Sequence, residues 1–243
     1  MARLTQHAAL WMAALATLGG CNLDPSDQLD EQVGYRAPEE GQGTSGERGN
    51  VVISEILWSG SVTDDGTWDP TDVFIEIRNQ GSLPVNLSGW RLELEGSIET
   101  GWRIPASDLT LQAGEHRFVA AKTTGCFPEP DWVIDGLILP KGDPFRVTLL
   151  DADERLIEPA GSRTMPPFAG GYDLVRSRSM ERVELMFGGR GNEPQSWHFY
   201  NEVEPDIPNN DRIADNCREF TLASPGRANS KDYSGALSAG GFE

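Results

Sequence analysis

Residues 51–90 limit what this chain can become more than any other stretch. They read VVISEILWSGSVTDDGTWDPTDVFIEIRNQGSLPVNLSGW. Two β-branched-rich runs, VVISEIL and VFIEIRN, flank an acidic loop, and a turn-rich return ends on Trp90. In the second run Val73, Ile75 and Ile77 share one face of a strand while Phe74, Glu76 and Arg78 share the other, because strand side chains alternate with a period of two. Each run holds a glutamate between apolar residues, Glu55 and Glu76.

The same grammar continues downstream. Leu92 and Leu94, the run from His116 to Ala121, and the run from Phe145 to Leu150 alternate with turn signals at Ala113-Gly114-Glu115, Pro140-Lys141-Gly142-Asp143 and residues 151–154. The chain carries 27 Gly and 16 Pro in 243 residues, and no segment after the N-terminus keeps the i, i+3, i+4, i+7 apolar spacing of a helix. Short strands punctuated this regularly predict an all-β sandwich or barrel. Arg155 to Glu158 is expected to pair with the run before it, and residues 59–72 to form an irregular loop.

The N-terminus has a different character. Arg3 precedes an uncharged apolar run from Ala8 to Leu18, too short to cross a bilayer and of the length of a secretory signal. Leu18-Gly19-Gly20-Cys21 has the order of a bacterial lipobox, in which Cys21 would carry the lipid and provide the membrane anchor. Asn22, rather than an aspartate, follows and points to the outer membrane. Residues 22–49 are rich in Asp, Glu, Gly, Ser and Gln. They bury too little surface to offset the entropy of ordering and are expected to form a disordered tether. Such a chain spans on the order of 30 Å. The expected organisation is a signal peptide over 1–21, a tether over 22–49, a β-domain over 50–230 and a flexible tail over 231–243.

The formal charge is −18, from 38 Asp and Glu against 20 Lys and Arg. Removing residues 1–20 takes away Arg3 and no acid, so the processed chain is one unit more acidic. That balance repels nucleic-acid phosphates and anionic surfaces, which counts against nucleic-acid binding. No HExxH, GxSxG or GxxxxGK[ST] pattern is present. No catalytic residue and no cofactor is therefore expected.

The ordered series ISEI, FIEIRNQGSLPVNLSGWRLE, IPASDLTLQAGEHRFVAA and LPKGDPFRVTLLDADERLIE resembles the lamin-tail domain from residue 50 to about 159. Residues 178–183, then Ser196-Trp197, then Ala223-Ser224-Pro225-Gly226-Arg227-Ala228-Asn229 resemble the closing series of such domains. The resemblance implies an immunoglobulin-like β-sandwich serving as an interaction module. It also implies that Glu55 and Glu76 sit on neighbouring strands in a structural role rather than as catalytic carboxylates. Residues 123–135, 160–176 and 200–217 are long insertions, expected to decorate the sandwich and to hold what is particular to this chain.

Several residues carry specific expectations. Trp90 is a core anchor, and Gly89 before it needs a positive φ. Trp68 and Trp132 sit in predicted loops and are the candidate binding aromatics, for a protein or glycan partner. With Cys21 lipidated, Cys126 and Cys217 are the two cysteines left. In an oxidising exported setting they are expected to pair, both within insertions. Asp64, Asp65 and Asp69, and further on Asp206 and Asp211, are weak candidate calcium ligands without the EF-hand spacing. Glu76 and Arg78 are placed for a surface ion pair, and His116 for a surface position. The expected function is a lipid-anchored bacterial envelope protein with a non-catalytic β-sandwich. The alternative is a metal-dependent hydrolase whose site would require Asp64, Asp69, Asp206 and Asp211 to converge.

Overall fold

The computed structural model describes residues 49–104, 110–183, 189–201 and 210–231. The expected signal peptide, the tether up to residue 48, Asp206, and the tail beyond residue 231 lie outside the described residues. The strands are β1 (Val51–Leu57), β2 (Ser61–Val62), β3 (Trp68–Asp69), β4 (Phe74–Asn79), β5 (Val85–Asn86), β6 (Arg91–Gly96), β7 (Thr100–Arg103), β8 (Thr110–Leu111) and β9 (His116–Ala120). They continue with β10 (Trp132–Val133), β11 (Phe145–Leu150), β12 (Leu156–Ser162), β13 (Gly171–Tyr172), β14 (Ser177–Arg178), β15 (Met180–Arg182), β16 (Trp197–Phe199) and β17 (Thr221–Leu222).

Two sheets face each other. One has the order β10-β9-β4-β1-β15-β16 and the other β12-β11-β6-β7. Their inner faces share one apolar core. Val51, Ile53, Ile56, Ile75, Ile77 and Val119 come from the first sheet, and Leu92, Leu94, Phe145, Val147 and Leu149 from the second. This is the expected immunoglobulin-like sandwich. Trp90 is buried at its edge, and Gly89 has φ +80°. At one end Arg182 of β15 donates to Glu158 of β12 at 2.8 Å, a buried ion pair that ties the two sheets together.

β12 runs further than expected, through Ser162. It tolerates Pro159 because it is an edge strand, where the missing N–H costs no ladder bond on the open side. The acidic loop is also more ordered than expected: β2 and β3 close a small hairpin within it.

β1 is buried along its whole length, so the outer face of the six-stranded sheet is covered as well. A β-bulge between Ile53 and Glu55 reverses the parity of the strand. Before it Val51 and Ile53 point into the sandwich. After it Ile56 does so, while Glu55 and Leu57 face outward. On that outer face a second core gathers Leu57, Phe74, Phe118, Phe127, Ile213 and Ala223 around Cys126 and Cys217. Phe74, Phe118 and Phe127 meet edge to face at centroid separations of 4.9–6.3 Å.

The insertions therefore do more than decorate. Parts of 123–135 and 200–217 lie over the outer face, and the expected disulfide, Cys126–Cys217, joins them with Cα atoms 5.7 Å apart. Buried Asp72 fastens the same region, accepting from the Ser61 hydroxyl at 2.5 Å and from the Cys126 N–H at 2.6 Å. Residue 125 must be glycine, since a Cβ there would lie 2.2 Å from the Asp72 carboxylate.

The bridge closes a long loop, at a sequence separation of 91. Replacing both cysteines by alanine is expected to cost about 4–5 kcal/mol of unfolding free energy in the chain-entropy view. Urea unfolding of the variant against the oxidised chain measures it. A loss under about 1 kcal/mol would show that the second core holds without its clip.

Candidate functional site

Three glutamates lie side by side across the outer face of the six-stranded sheet. Glu55 of β1 is the cross-strand partner of Glu76 on β4 and of Glu181 on β15. His198 of β16 is the partner of Glu181. All three glutamates are 0 % exposed. Alternation alone would turn these positions to solvent, as on the open face of an antiparallel sheet. Here a segment spanning residues 223–230 lies over them.

That segment is held by its own donors. The Ser224 N–H donates to Glu55 Oε1 at 2.8 Å, and its hydroxyl lies 3.2 Å from Glu55 Oε2 and against Glu181 Oε1. The Gly226 N–H donates to Glu76 Oε2 at 2.6 Å. The Ser230 N–H lies 3.2 Å from each oxygen of Glu181, and the Ser230 hydroxyl bonds Oε2. Glu76 Oε1 accepts from the Ser54 hydroxyl at 2.7 Å and lies 2.7 Å from His116 Nδ1. Asn229 donates to the Ser54 and Arg182 carbonyls, each at 2.9 Å, and so anchors the far end of the segment. All six carboxylate oxygens are thus engaged.

Three carboxyl groups this close and this dry cannot all ionise cheaply. Burial pushes the Glu55 carboxyl well above the usual carboxylate range, and the charges of Glu181 and Glu76 push in the same direction. Glu181 is raised too: burial outweighs the bonds from Ser224 and Ser230 and the nearby His198, which favour its charge. The geometry agrees. One Ser224 hydroxyl proton can serve only one of its two carboxylate neighbours, so the second contact is complete when a protonated carboxyl donates to the hydroxyl oxygen. The cluster is a latch for the closing segment, in which burial favours the protonated form of Glu55 and Glu181. None of its oxygens is open to a substrate.

The other sequence candidates are placed as follows. Glu76 makes no surface ion pair with Arg78, because the closing segment buries it. His116 is not a surface residue: its side chain is 8 % exposed and faces Glu76. Trp132 is not an exposed loop aromatic either. Its strand β10 pairs in parallel with β9, which draws the indole against the main core, with the Arg117 guanidinium 5.9 Å from the ring. Trp68 does reach the surface, at 37 % exposure, stacked on Tyr172.

Asp64, Asp65 and Asp69 lie within or beside the β2–β3 hairpin. Asp65 accepts from the Thr63 hydroxyl at 2.5 Å and the Thr67 N–H at 2.9 Å, which hold its carboxyl below the usual range. Asp69 pairs with Lys122. Asp211 is exposed on a separate loop. Among the described residues no three His, Cys, Asp or Glu side chains gather as a metal site would need.

The family model of the lamin tail domain matches residues 44–162. This chain contains a lamin tail domain. No curated protein matches the chain significantly. The lamin tail domain is a non-enzymatic, immunoglobulin-like interaction module. Glu55 and Glu76 lie inside the matched segment, whereas Glu181, Ser224, Gly226 and Ser230 come from beyond it. The latch therefore joins the lamin tail domain to the C-terminal part of the chain.

Sequence reasoning singled out Glu55 and Glu76 and missed Glu181, His198 and the donors that face them. A signal was present: Glu181 stands in the Arg178–Val183 series that, with Ala223–Asn229, resembles the closing part of lamin-tail domains.

The latch has a pH signature. A carboxyl whose folded-state pKa is raised binds more protons folded than unfolded between its two pKa values, so stability falls as pH rises through that window. The contribution of Glu55 and Glu181 is expected to grow on acidification from neutral pH until the unfolded value near 4.5 is approached. Glu55→Gln keeps the shape, removes one titrating group, and is expected to flatten the difference in unfolding free energy between pH 5 and pH 8. An unchanged pH dependence, measured by urea titration of both chains, would refute the raised Glu55.

Proposed function

We propose that this chain is a bacterial envelope lipoprotein. Its acyl group on Cys21 would anchor it, residues 22–49 would form a tether, and the lamin tail domain would present a non-catalytic binding surface to a protein or glycan of the envelope. The outer membrane is the proposed address, from Asn22 after the acylated cysteine.

One observation carries the non-catalytic part. The glutamate row of Glu55, Glu76 and Glu181, with His116 and His198 beside it, is covered by the closing segment, and its carboxylate oxygens are all engaged internally. A general acid, general base or metal-ligating carboxylate must offer an oxygen to its substrate or ion. The module character of the lamin tail domain supports the same reading, and the Leu18-Gly19-Gly20-Cys21 series supports the anchor. The acidic balance of the chain argues against nucleic acid as the partner.

Expression in a bacterium with a lipoprotein-processing pathway, followed by mass spectrometry of the N-terminal peptide, tests the anchor. The expected product begins at Cys21 and carries diacylglycerol, and Cys21→Ser is expected to move the chain from the membrane fraction to the soluble fraction. An N-terminus elsewhere, with Cys21 unmodified, would overturn the anchor and leave the domain assignment standing.

A further inference from the structure

A sheet edge offers unpaired N–H and C=O groups to any extended chain, and folded proteins blunt such edges against association. The two large sheets end in four edge strands, β10, β16, β12 and β7. Three of them are blunted. β10 is 2 residues long. On β16 the Trp197 N–H is bonded to the Pro194 carbonyl, and the Phe199 carbonyl lies 2.9 Å from His198 Nδ1. β12 carries Pro159, and its Gly161 N–H donates to the Gly191 carbonyl at 2.9 Å.

β7 (Thr100–Arg103) is different. Just beyond it the Ile104 N–H donates to the Trp90 carbonyl at 2.9 Å, and the same register sets Trp102 opposite Leu92 and Thr100 opposite Leu94. In an antiparallel ladder every second residue bonds the neighbouring strand, and the residues between turn their backbone groups away from it. Thr100 and Trp102 therefore bond β6, while Gly101 and Arg103 turn their N–H and C=O groups to the open edge. Both are exposed, and among the described residues no strand pairs there.

The side chains along this edge complement a copy of themselves. Arg103 stands opposite Arg91 of β6, which is already bonded to Glu93 at 2.5 Å and Glu154 at 3.1 Å. Among the described residues Arg103 has no ion-pair partner, and neither has Glu99, the exposed residue that precedes β7. Strand alternation puts Glu99, Gly101 and Arg103 on one face. Acid and base thus flank Gly101 symmetrically. A two-fold axis at Gly101 sets Glu99 of one copy opposite Arg103 of the other, twice over. The axis falls on a residue with no side chain, where a second backbone can come close. On the other face Thr100 of one copy meets Trp102 of the other, a β-branched and aromatic pair of the kind that stabilises sheets.

We propose that β7 is a self-association edge: two copies of this chain pair β7 with β7, antiparallel about Gly101, and join their four-stranded sheets into one continuous sheet. Such an interface presents the same patch from both copies and adds a strand to each sheet. With one short strand from each side it is weak and reversible. The pairing does not depend on the Cys21 anchor.

Sedimentation equilibrium tests it, on the full chain carrying Cys21→Ser so that no acyl group drives association. A monomer–dimer equilibrium is expected at concentrations up to about 1 mM. Arg103→Glu leaves two acids on the edge, and Glu99→Arg leaves two bases. Each alone sets like charges opposite each other twice and is expected to weaken dimerisation roughly tenfold. The two reversals move the net charge in opposite directions, so a general charge effect would not weaken both. An equimolar mixture of the two variants is expected to recover dimers, as heterodimers, because each acid of one chain then faces a base of the other. Added salt should erode that recovery. Both positions are exposed, so the thermal midpoints of the variants are expected to hold. A chain that stays monomeric throughout overturns the proposal. So does a dimer unchanged by either reversal, and so does a mixture no more associated than its separate components.

Discussion

The bonds between three buried glutamates and one closing segment hold the C-terminal part of this molecule to its β-sandwich. Glu55, Glu76 and Glu181 come from three adjacent strands, and Ser224, Gly226 and Ser230 arrive from far along the chain. A carboxylate buried without donors would cost several kcal/mol, and the segment's backbone would carry unpaired N–H groups on its own. Each side satisfies the other. Burial makes the arrangement sensitive to protonation, since it raises the Glu55 carboxyl and the neighbouring charges of Glu181 and Glu76 raise it further.

The second core follows from the same covering of the outer face. Most antiparallel sandwiches leave the outer faces of their sheets in water. Here Leu57, Phe74 and Phe118 face outward from the six-stranded sheet, and insertion residues close over them. Phe127 fills the gap between the rings, and the Cys126–Cys217 bridge holds the two covering loops together. Glutamate latch and disulfide core lie next to each other on one sheet face, so the insertions and the C-terminal segment act as a third layer.

Much of the sandwich was legible because strand alternation is local. Val73, Ile75 and Ile77 had to share a face whatever else the chain did, and the Leu87–Trp90 turn had to bury its indole. The site was only half legible. Glu55 and Glu76 could be read as neighbours on adjacent strands, but their burial could not, because it depends on a segment more than a hundred residues away. The bulge after Ile53 was invisible for the same reason: parity over VVISEIL depends on how the strand is paired. Trp132 misled because a two-residue parallel strand leaves almost no periodic trace, so its indole looked like part of a loop.

By itself the sequence determined the β-class and the sandwich core, because alternation and turn chemistry are properties of short stretches. It also carried the lamin tail motif series from one strand to the next. The tertiary structure alone decided which side of the six-stranded sheet would be dry, that Glu181 and His198 would join the glutamate row, and that Ser224, Gly226 and Ser230 would bond it. Those outcomes depend on contacts between residues far apart in sequence, whose energy appears only when the chain has folded back over its own sheet.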